Sequence, residues 1–399
     1  MKYIVLLGDG MSDEPVAELD GQTPLQAAKT PVMDELAATG LTGVAETIPK
    51  AFHPGSDVAN LSVFGYDPAT CYSGRAPLEA ASMGVKLAPD DVAFRLNLVN
   101  LQANFGKLYM ADFSAGHIST AEAAEIIAML QGELGGDEFM FYPGVSYRHL
   151  MVWRGGKDQL HFTPPHDISN QPVDNYLPSG DGADTLLQLM TSSQLLLHSH
   201  PVNLRRAQTD QFTANSIWLW GHGRAPRMEK LTTKFNLSGG AVISAVDLIK
   251  GLGIYAGLDV IEVPGATGYI DTNYRGKAEY ALEALKSRDF VYLHVEAPDE
   301  AAHGGLLKEK IQAIESFDEL VVGTVLNGLR NAKEDFRILL TPDHPTPVAK
   351  MTHTRDAVPF VLYGSSGEYK SPVAVTGYSE TQALSTGVVV DPGHQLMTR

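Results

Sequence analysis

Cysteine is almost absent. The 399 residues contain one, Cys71. An internal disulfide framework and a thiolate-built zinc site are therefore excluded, and a reducing, cytoplasmic setting is expected. Positive charge is also scarce: 30 Lys and Arg stand against 47 Asp and Glu, a net charge of −17. A nucleic-acid surface needs a basic stripe, so no nucleic-acid partner is expected. Long apolar runs are missing too. No stretch approaches the roughly 20 apolar residues of a membrane span, so no membrane partner is expected. The opening MKYIVLLGDG has an apolar run too short for a secretory signal and meets Asp9 at once. The glycine loop at 221–227, GHGRAPR, matches neither a P-loop nor a dinucleotide fingerprint. There is no internal repeat and no low-complexity tract.

What remains is ordinary for a packed protein: 44% hydrophobic and 19% charged residues. The length allows two domains. The pattern alternates strand-like and helix-like runs at both ends of the chain, with a different texture from about Val92. Residues 92–101, VAFRLNLVNL, alternate as a half-buried strand does. This predicts an α/β main domain from residues 1–80 and 236–399, with a smaller α/β (α+β) domain inserted at 81–235.

Several runs carry the expected main sheet. Residues 3–7 are apolar and β-branched and end in Gly8-Asp9-Gly10; a weaker strand is expected at 43–48. Residues 290–295, FVYLHV, end in EAPDEAAH, where Asp299 and His303 are four apart and share a helix face. Residues 336–340 lead into TPDHPTPVAKMTHT at 341–354, whose prolines force a loop carrying Asp343, His344 and His353. Helices are expected at 30–39, 241–250, 277–286 and 311–326, and His294 is read as structural.

Three strand ends thus deliver Asp9, Asp299 and Asp343, with His303, His344 and His353 nearby. Parallel strands bring such residues to one sheet edge. Carboxylates and imidazoles suit borderline divalent ions, and six such donors suit two of them. A two-metal clamp stabilises the attacking and leaving oxygens of a phosphoryl transfer. Ser56, after His53-Pro54-Gly55, reads as a helix N-cap, where free N–H groups favour an anion. It is the candidate nucleophile. Arg75 holds either a phosphate or a carboxylate of the fold. Arg224 and Arg227, beside glycines, form either an anion clamp or a solvated pair.

LLGDGMSDEP, PGSDVANLSVFGYDP, YSGRAPLEA, DFSAGHIST, WLWGHGRAP, HVEAPDEAAH and TPDHPTP…THT span nearly the whole chain. Together they resemble the alkaline phosphatase superfamily and, more fully, its archaeal-type cofactor-independent phosphoglycerate mutases. The resemblance implies an alkaline-phosphatase-like, mostly parallel sheet flanked by helices. It implies Asp9, Ser56, Asp343 and His344 around one metal, and Asp299, His303 and His353 around the other. The metals implied are two Mn²⁺ ions, with Zn²⁺, Co²⁺ or Mg²⁺ as alternatives. Ser56 would carry a phosphoserine while 3-phosphoglycerate and 2-phosphoglycerate interconvert in glycolysis and gluconeogenesis. The inserted domain would bind this small substrate through His117, Arg148, Asp167, Arg224 and Arg227. Asn60 stands where other branches carry a histidine. Lys250 and Lys277 are the candidates for the family's metal-adjacent lysine.

Three rival readings use the same residues. A metal-dependent phosphatase or phosphonate hydrolase needs no second arginine-rich domain. A homoserine kinase-like phosphotransferase changes the acceptor. A metal-stabilised binding protein needs no nucleophile and tolerates Ser56→Ala.

Overall fold

The computed structural model describes residues 1–399. The chain forms two compact units, Met1–Tyr72 with Arg227–Arg399, and Ser73–Pro226.

The first unit is built on an eight-stranded sheet. Its order is Asp259–Val260, Gly240–Ile243, Phe290–Val295, Lys2–Gly8, Phe336–Thr341, Val358–Gly364, Leu41–Ala45 and Val389–Val390. The first five strands are parallel; Val358–Gly364 runs antiparallel to both its neighbours. Lys2–Gly8 is central because its apolar residues can be covered on both faces, as parallel strands require. Ile4, Val5, Leu6 and Leu7 are all buried. The adjacent register pairs Leu7 with His294 on one side and Thr341 on the other. The three loops after these strands therefore emerge side by side. Helices Tyr274–Leu285 and Gly323–Ala332 pack Ala278, Ala281, Val325 and Leu329 into the core on the sheet.

The second unit carries a five-stranded antiparallel sheet. Its longest strand, Val92–Asn104, pairs with Arg148–Trp153, Ser216–Gly223 and Lys107–Asp112. Helices Thr120–Glu133 and Ala183–His198 contribute Ile126, Ile127, Leu186 and Met190 to its core. An antiparallel sheet with helices makes this unit α+β.

Some expectations need correction. The units divide at 72/73 and 226/227, not at 80/81 and 235/236. Helix Ala76–Ser82 belongs to the second unit because Ala76 and Ala80 pack on Ala93, Leu150 and Val152. Residues 227–235 belong to the first: Tyr66 Oη donates to Glu229 O, and Lys234 Nζ to Gly65 O. Residues 241–250 are not one helix. Gly240–Ile243 is a strand, and the helix is Asp247–Tyr255. Four apolar residues look alike in a buried strand and a buried helix, and here sheet pairing on both sides decides. The expected helix at 311–326 is longer, running Leu307–Ser316, a π-helical stretch Phe317–Val322, then Gly323–Ala332.

Candidate functional site

Asp9, Glu296 and Asp299, and Asp343 and His344 follow the three adjacent parallel strands. Asp9 is tied in at once, its N–H donating to Val295 O at 2.9 Å. Asp343 is fixed from several directions. Its Oδ1 accepts from the N–H of Gly10 (3.2 Å) and His344 (2.9 Å), and its Oδ2 accepts from Asn60 Nδ2 (2.7 Å). Asp9, Asp343 and His344 are fully buried, and their donor atoms converge within 4.8 Å.

Ser56 joins this group. It is the first residue of helix Ser56–Val63, and the N-cap is Gly55. The expected N-cap role is therefore corrected. Its hydroxyl makes no cap bond and lies 3.0 Å from His344 Nε2. Asn60, one turn on, braces the arrangement. It donates to Ser56 O and Asp343 Oδ2, and accepts from Tyr292 Oη at 2.6 Å.

The second group gathers around Asp299 on helix Ala297–His303. His303 Nε2 lies 3.2 Å from Asp299 Oδ2 and His353 Nε2 3.5 Å from Oδ1. The two Nε2 atoms are 2.9 Å apart. His303 Nδ1–H donates to Met351 O at 3.0 Å, which orients the ring with Nε2 toward Asp299. His344 lies between the groups, its ring centroid 4.1 Å from that of His353. Its donor also converges with Asp299 and His353. All seven residues expected at the metals are thus brought together, with His344 reaching both groups.

The electrostatics call for a cation. Burial first, then the Asp343, Glu296 and Asp299 carboxylates, push Asp9 well above the usual carboxylate range. Asp9 Oδ1 is buried without a hydrogen-bond partner. For Asp299, burial acts upward, but hydrogen bonds from His303 and His353 win and hold it well below its ordinary value. His303 is raised to about 9, chiefly by its hydrogen bond to Asp299. An orphaned buried oxygen among carboxylates and facing imidazoles fits a divalent metal.

Other residues here escaped sequence reasoning. His294 Nε2 lies 2.8 Å from Asp9 Oδ2, and Glu296 Oε2 lies 3.4 Å from His294 Nε2. Burial, then Asp299, raises Glu296 to about 8. The FVYLHV run reads as core, which hid His294; only the neighbouring strand shows what it faces. Of the candidate lysines, Lys277 is buried and donates to His294 O at 3.0 Å, whereas Lys250 pairs with Glu262 at 2.8 Å.

In the second unit two of the predicted residues meet at one ring, that of Tyr147. His117 packs edge-on against Tyr147, at 5.9 Å between ring centroids, and Arg148 lies 5.7 Å from the same ring. His166, next to Asp167, packs on Trp220 at 5.2 Å, and the Arg95 guanidinium covers Trp220 at 4.1 Å. Glu79 holds Arg95 at 2.9 Å and Arg75 at 3.0 Å. Burial acts upward on Glu79, but these two arginines outweigh it and lower its pKa. Burial lowers Arg95 to about 10. Arg95 was missed because a single arginine in an alternating strand carries no motif. Arg224 stands apart. It donates to Asp158 Oδ2 (2.7 Å), Asp90 O (2.6 Å) and Gly156 O (2.8 Å), which is a structural clamp. Arg227 falls in the first unit.

Residues 37–203 match the family model described as 2,3-bisphosphoglycerate-independent phosphoglycerate mutase. A probable 2,3-bisphosphoglycerate-independent phosphoglycerate mutase of Geobacter sulfurreducens is 62% identical over 397 residues, covering 100% of this chain and 98% of its own. A solved structure from Pyrococcus horikoshii superposes with a TM-score of 0.84 at 30% identity, over 100% of this chain and 95% of that one. The cofactor-independent phosphoglycerate mutase of Thermoplasma acidophilum superposes at 0.67 and 27% identity, over 100% and 98%. With a full-length relative at this identity, the chain belongs to the 2,3-bisphosphoglycerate-independent phosphoglycerate mutase family.

Proposed function

We propose that the chain interconverts 3-phosphoglycerate and 2-phosphoglycerate through a phosphoserine on Ser56, as a step of glycolysis and gluconeogenesis. The carrying observation is Ser56 itself. Its hydroxyl stands at a helix start, 3.0 Å from His344 Nε2, beside the converging donor atoms of Asp9, Asp343 and His344. Free N–H groups at that helix start favour the charge of a phosphoryl group.

Asp9, Ser56, Asp343 and His344 would hold one divalent ion, and Asp299, His303 and His353 the other, with Mn²⁺ the family expectation. Bound there, the ions would lower the pKa of the serine hydroxyl and neutralise phosphoryl charge. Ser56 Oγ forms a bond to phosphorus as the bond from phosphorus to the C3 oxygen of glycerate breaks, and the proton lost by Ser56 ends on that C3 oxygen. The 2-hydroxyl oxygen of the retained glycerate then takes the phosphoryl group, and its proton returns to Ser56 Oγ. In the second unit, His117, Arg148 and Asp167 remain the substrate candidates, joined by Arg75 and Arg95. The Arg95–Glu79–Arg75 arrangement keeps two guanidiniums spread and oriented for a carboxylate or phosphate. Arg224 is withdrawn from this role by its three internal bonds.

The test is an enolase-coupled assay with 3-phosphoglycerate and Mn²⁺, without 2,3-bisphosphoglycerate, while free phosphate is followed. Turnover by the wild type and none by Ser56→Ala, with little phosphate released, is expected. Phosphate release without 2-phosphoglycerate would make the protein a phosphatase on the same scaffold.

A further inference from the structure

We infer that Thr346 is a positioning residue that links the two ligand groups and sets the hydrogen on His344. Thr346 is fully buried. Its Oγ1 lies 2.5 Å from Asp299 Oδ1 and 3.2 Å from His344 Nδ1. A threonine hydroxyl has one proton to give, and a carboxylate can only accept. Thr346 therefore donates to Asp299. Its oxygen is left to accept from His344, so Nδ1 carries the imidazole hydrogen. A neutral imidazole has one N–H, which leaves the His344 Nε2 lone pair free. That atom is the one 3.0 Å from Ser56 Oγ. The relay His344 to Thr346 to Asp299 thus presents the required tautomer and couples the carboxylate of one group to the imidazole of the other.

The surrounding backbone is arranged for this contact. The N–H of Thr346 donates to Ser12 O at 3.1 Å, and its carbonyl accepts from buried Lys310 Nζ at 2.8 Å. Gly10, at φ +60°, leaves the space: a Cβ there would stand 2.7 Å from Thr346 Oγ1 and 2.6 Å from Asp299 Oδ1. Both the positive φ and the missing side chain suit glycine. Groups that hold the second nitrogen of a ligating histidine fix its ring and raise its basicity.

The effect on metal affinity rests on the two-metal reading, whereas the tautomer does not. Two measurements separate them. The first is the ¹⁵N spectrum of histidine-labelled, metal-free protein, with the His344 signal assigned by its loss in His344→Gln. The hydrogen is expected on Nδ1. The second is calorimetric Mn²⁺ titration of wild type, Thr346→Val and Thr346→Ser. Valine keeps the shape and removes the hydroxyl, so Mn²⁺ affinity should fall about 10–100-fold, the usual scale for losing such a partner, and serine should largely restore it. Wild-type affinity in Thr346→Val, or a serine variant as weak as the valine one, would overturn the inference. So would a His344 hydrogen on Nε2 in the wild type. If the wild type takes up no Mn²⁺, the two-metal reading fails, and the tautomer alone decides the relay.

Discussion

Lys310 Nζ lies 2.7 Å from Asp13 Oδ2, and neither side chain is more than 1% exposed. The ammonium also donates to Ser12 O and Thr346 O, so it fastens the loop after the first strand to the loop carrying His344. Burial lowers its pKa, and Asp13 opposes that shift. Breaking such a pair leaves a buried charge alone, which costs about 3–5 kcal/mol. Lys310→Met should lower the urea midpoint of the metal-free protein accordingly. An unchanged midpoint would show that the pair is not needed for the fold.

Ser56→Ala should leave thermal unfolding within a few degrees of the wild type, because the hydroxyl makes no cap bond. Turnover should fall by about 10⁶-fold, the scale seen when a covalent nucleophile is removed. Labelled phosphate from 3-phosphoglycerate should no longer be trapped on the protein. Residual labelling at another residue would remove Ser56 from the mechanism.

Asn60 has both amide hydrogens committed, to Ser56 O and Asp343 Oδ2, and its Oδ1 accepts from Tyr292 Oη. Asn60→Ala strands buried groups, at about 1–3 kcal/mol for each one left unpaired. Asn60→Asp should be worse, because it adds a carboxylate beside Asp343. Tyr292→Phe removes only one donor and should be milder than either. Denaturant titrations of the three variants give the ranking directly.

Asp318 links pH to stability away from the metal groups. It sits in the π-helical stretch and accepts from the N–H of Met33 and Val32, the first turn of helix Pro31–Thr39. Burial raises it from 3.8 to about 6. The folded state therefore binds the proton more tightly than the unfolded chain. Its contribution is present below pH 3.8 and is lost as pH rises to about 6. Asp318→Asn should remove that part of the slope. Melting temperatures across this pH window test it, and an unchanged slope would assign the effect to other groups.

Arginines of the second unit should separate by kind of defect. Arg148→Ala and Glu79→Gln should raise KM for phosphoglycerate with little loss of thermal stability for Arg148, which is exposed on its strand. Arg224→Lys should do the reverse, because lysine cannot reproduce a three-way guanidinium clamp. KM and melting temperature measured on the same preparations distinguish them. A raised KM with wild-type stability in Arg224→Lys would restore that residue to the substrate site.

Asp9, Asp299 and Asp343 were legible in the chain because each ends an apolar run, and parallel strands discharge their loops at one edge. His303 and His353 were legible through a four-residue helical spacing and a proline-bounded loop. Glu79 lies within YSGRAPLEA without a feature of its own, and Arg95, Thr346 and Lys310 do not stand out. Each is a single polar residue within otherwise ordinary surroundings, and nothing local marks its partner. Gly240–Ile243 was misread because four apolar residues have no period that tells strand from helix.

Local chemistry alone was enough to specify an α/β chain, its strand-borne carboxylates, and a serine placed at a helix start. Which atoms meet was settled by packing. Strand order puts Phe290–Val295 and Phe336–Thr341 on either side of Lys2–Gly8, and so brings residues 9, 299 and 343 together. The same packing turned Ser56 from a cap into a partner of His344, and tied Arg224 to Asp158. Hydrogen bonds between residues far apart in the chain depend on register and orientation, and no local run of sequence encodes those on its own.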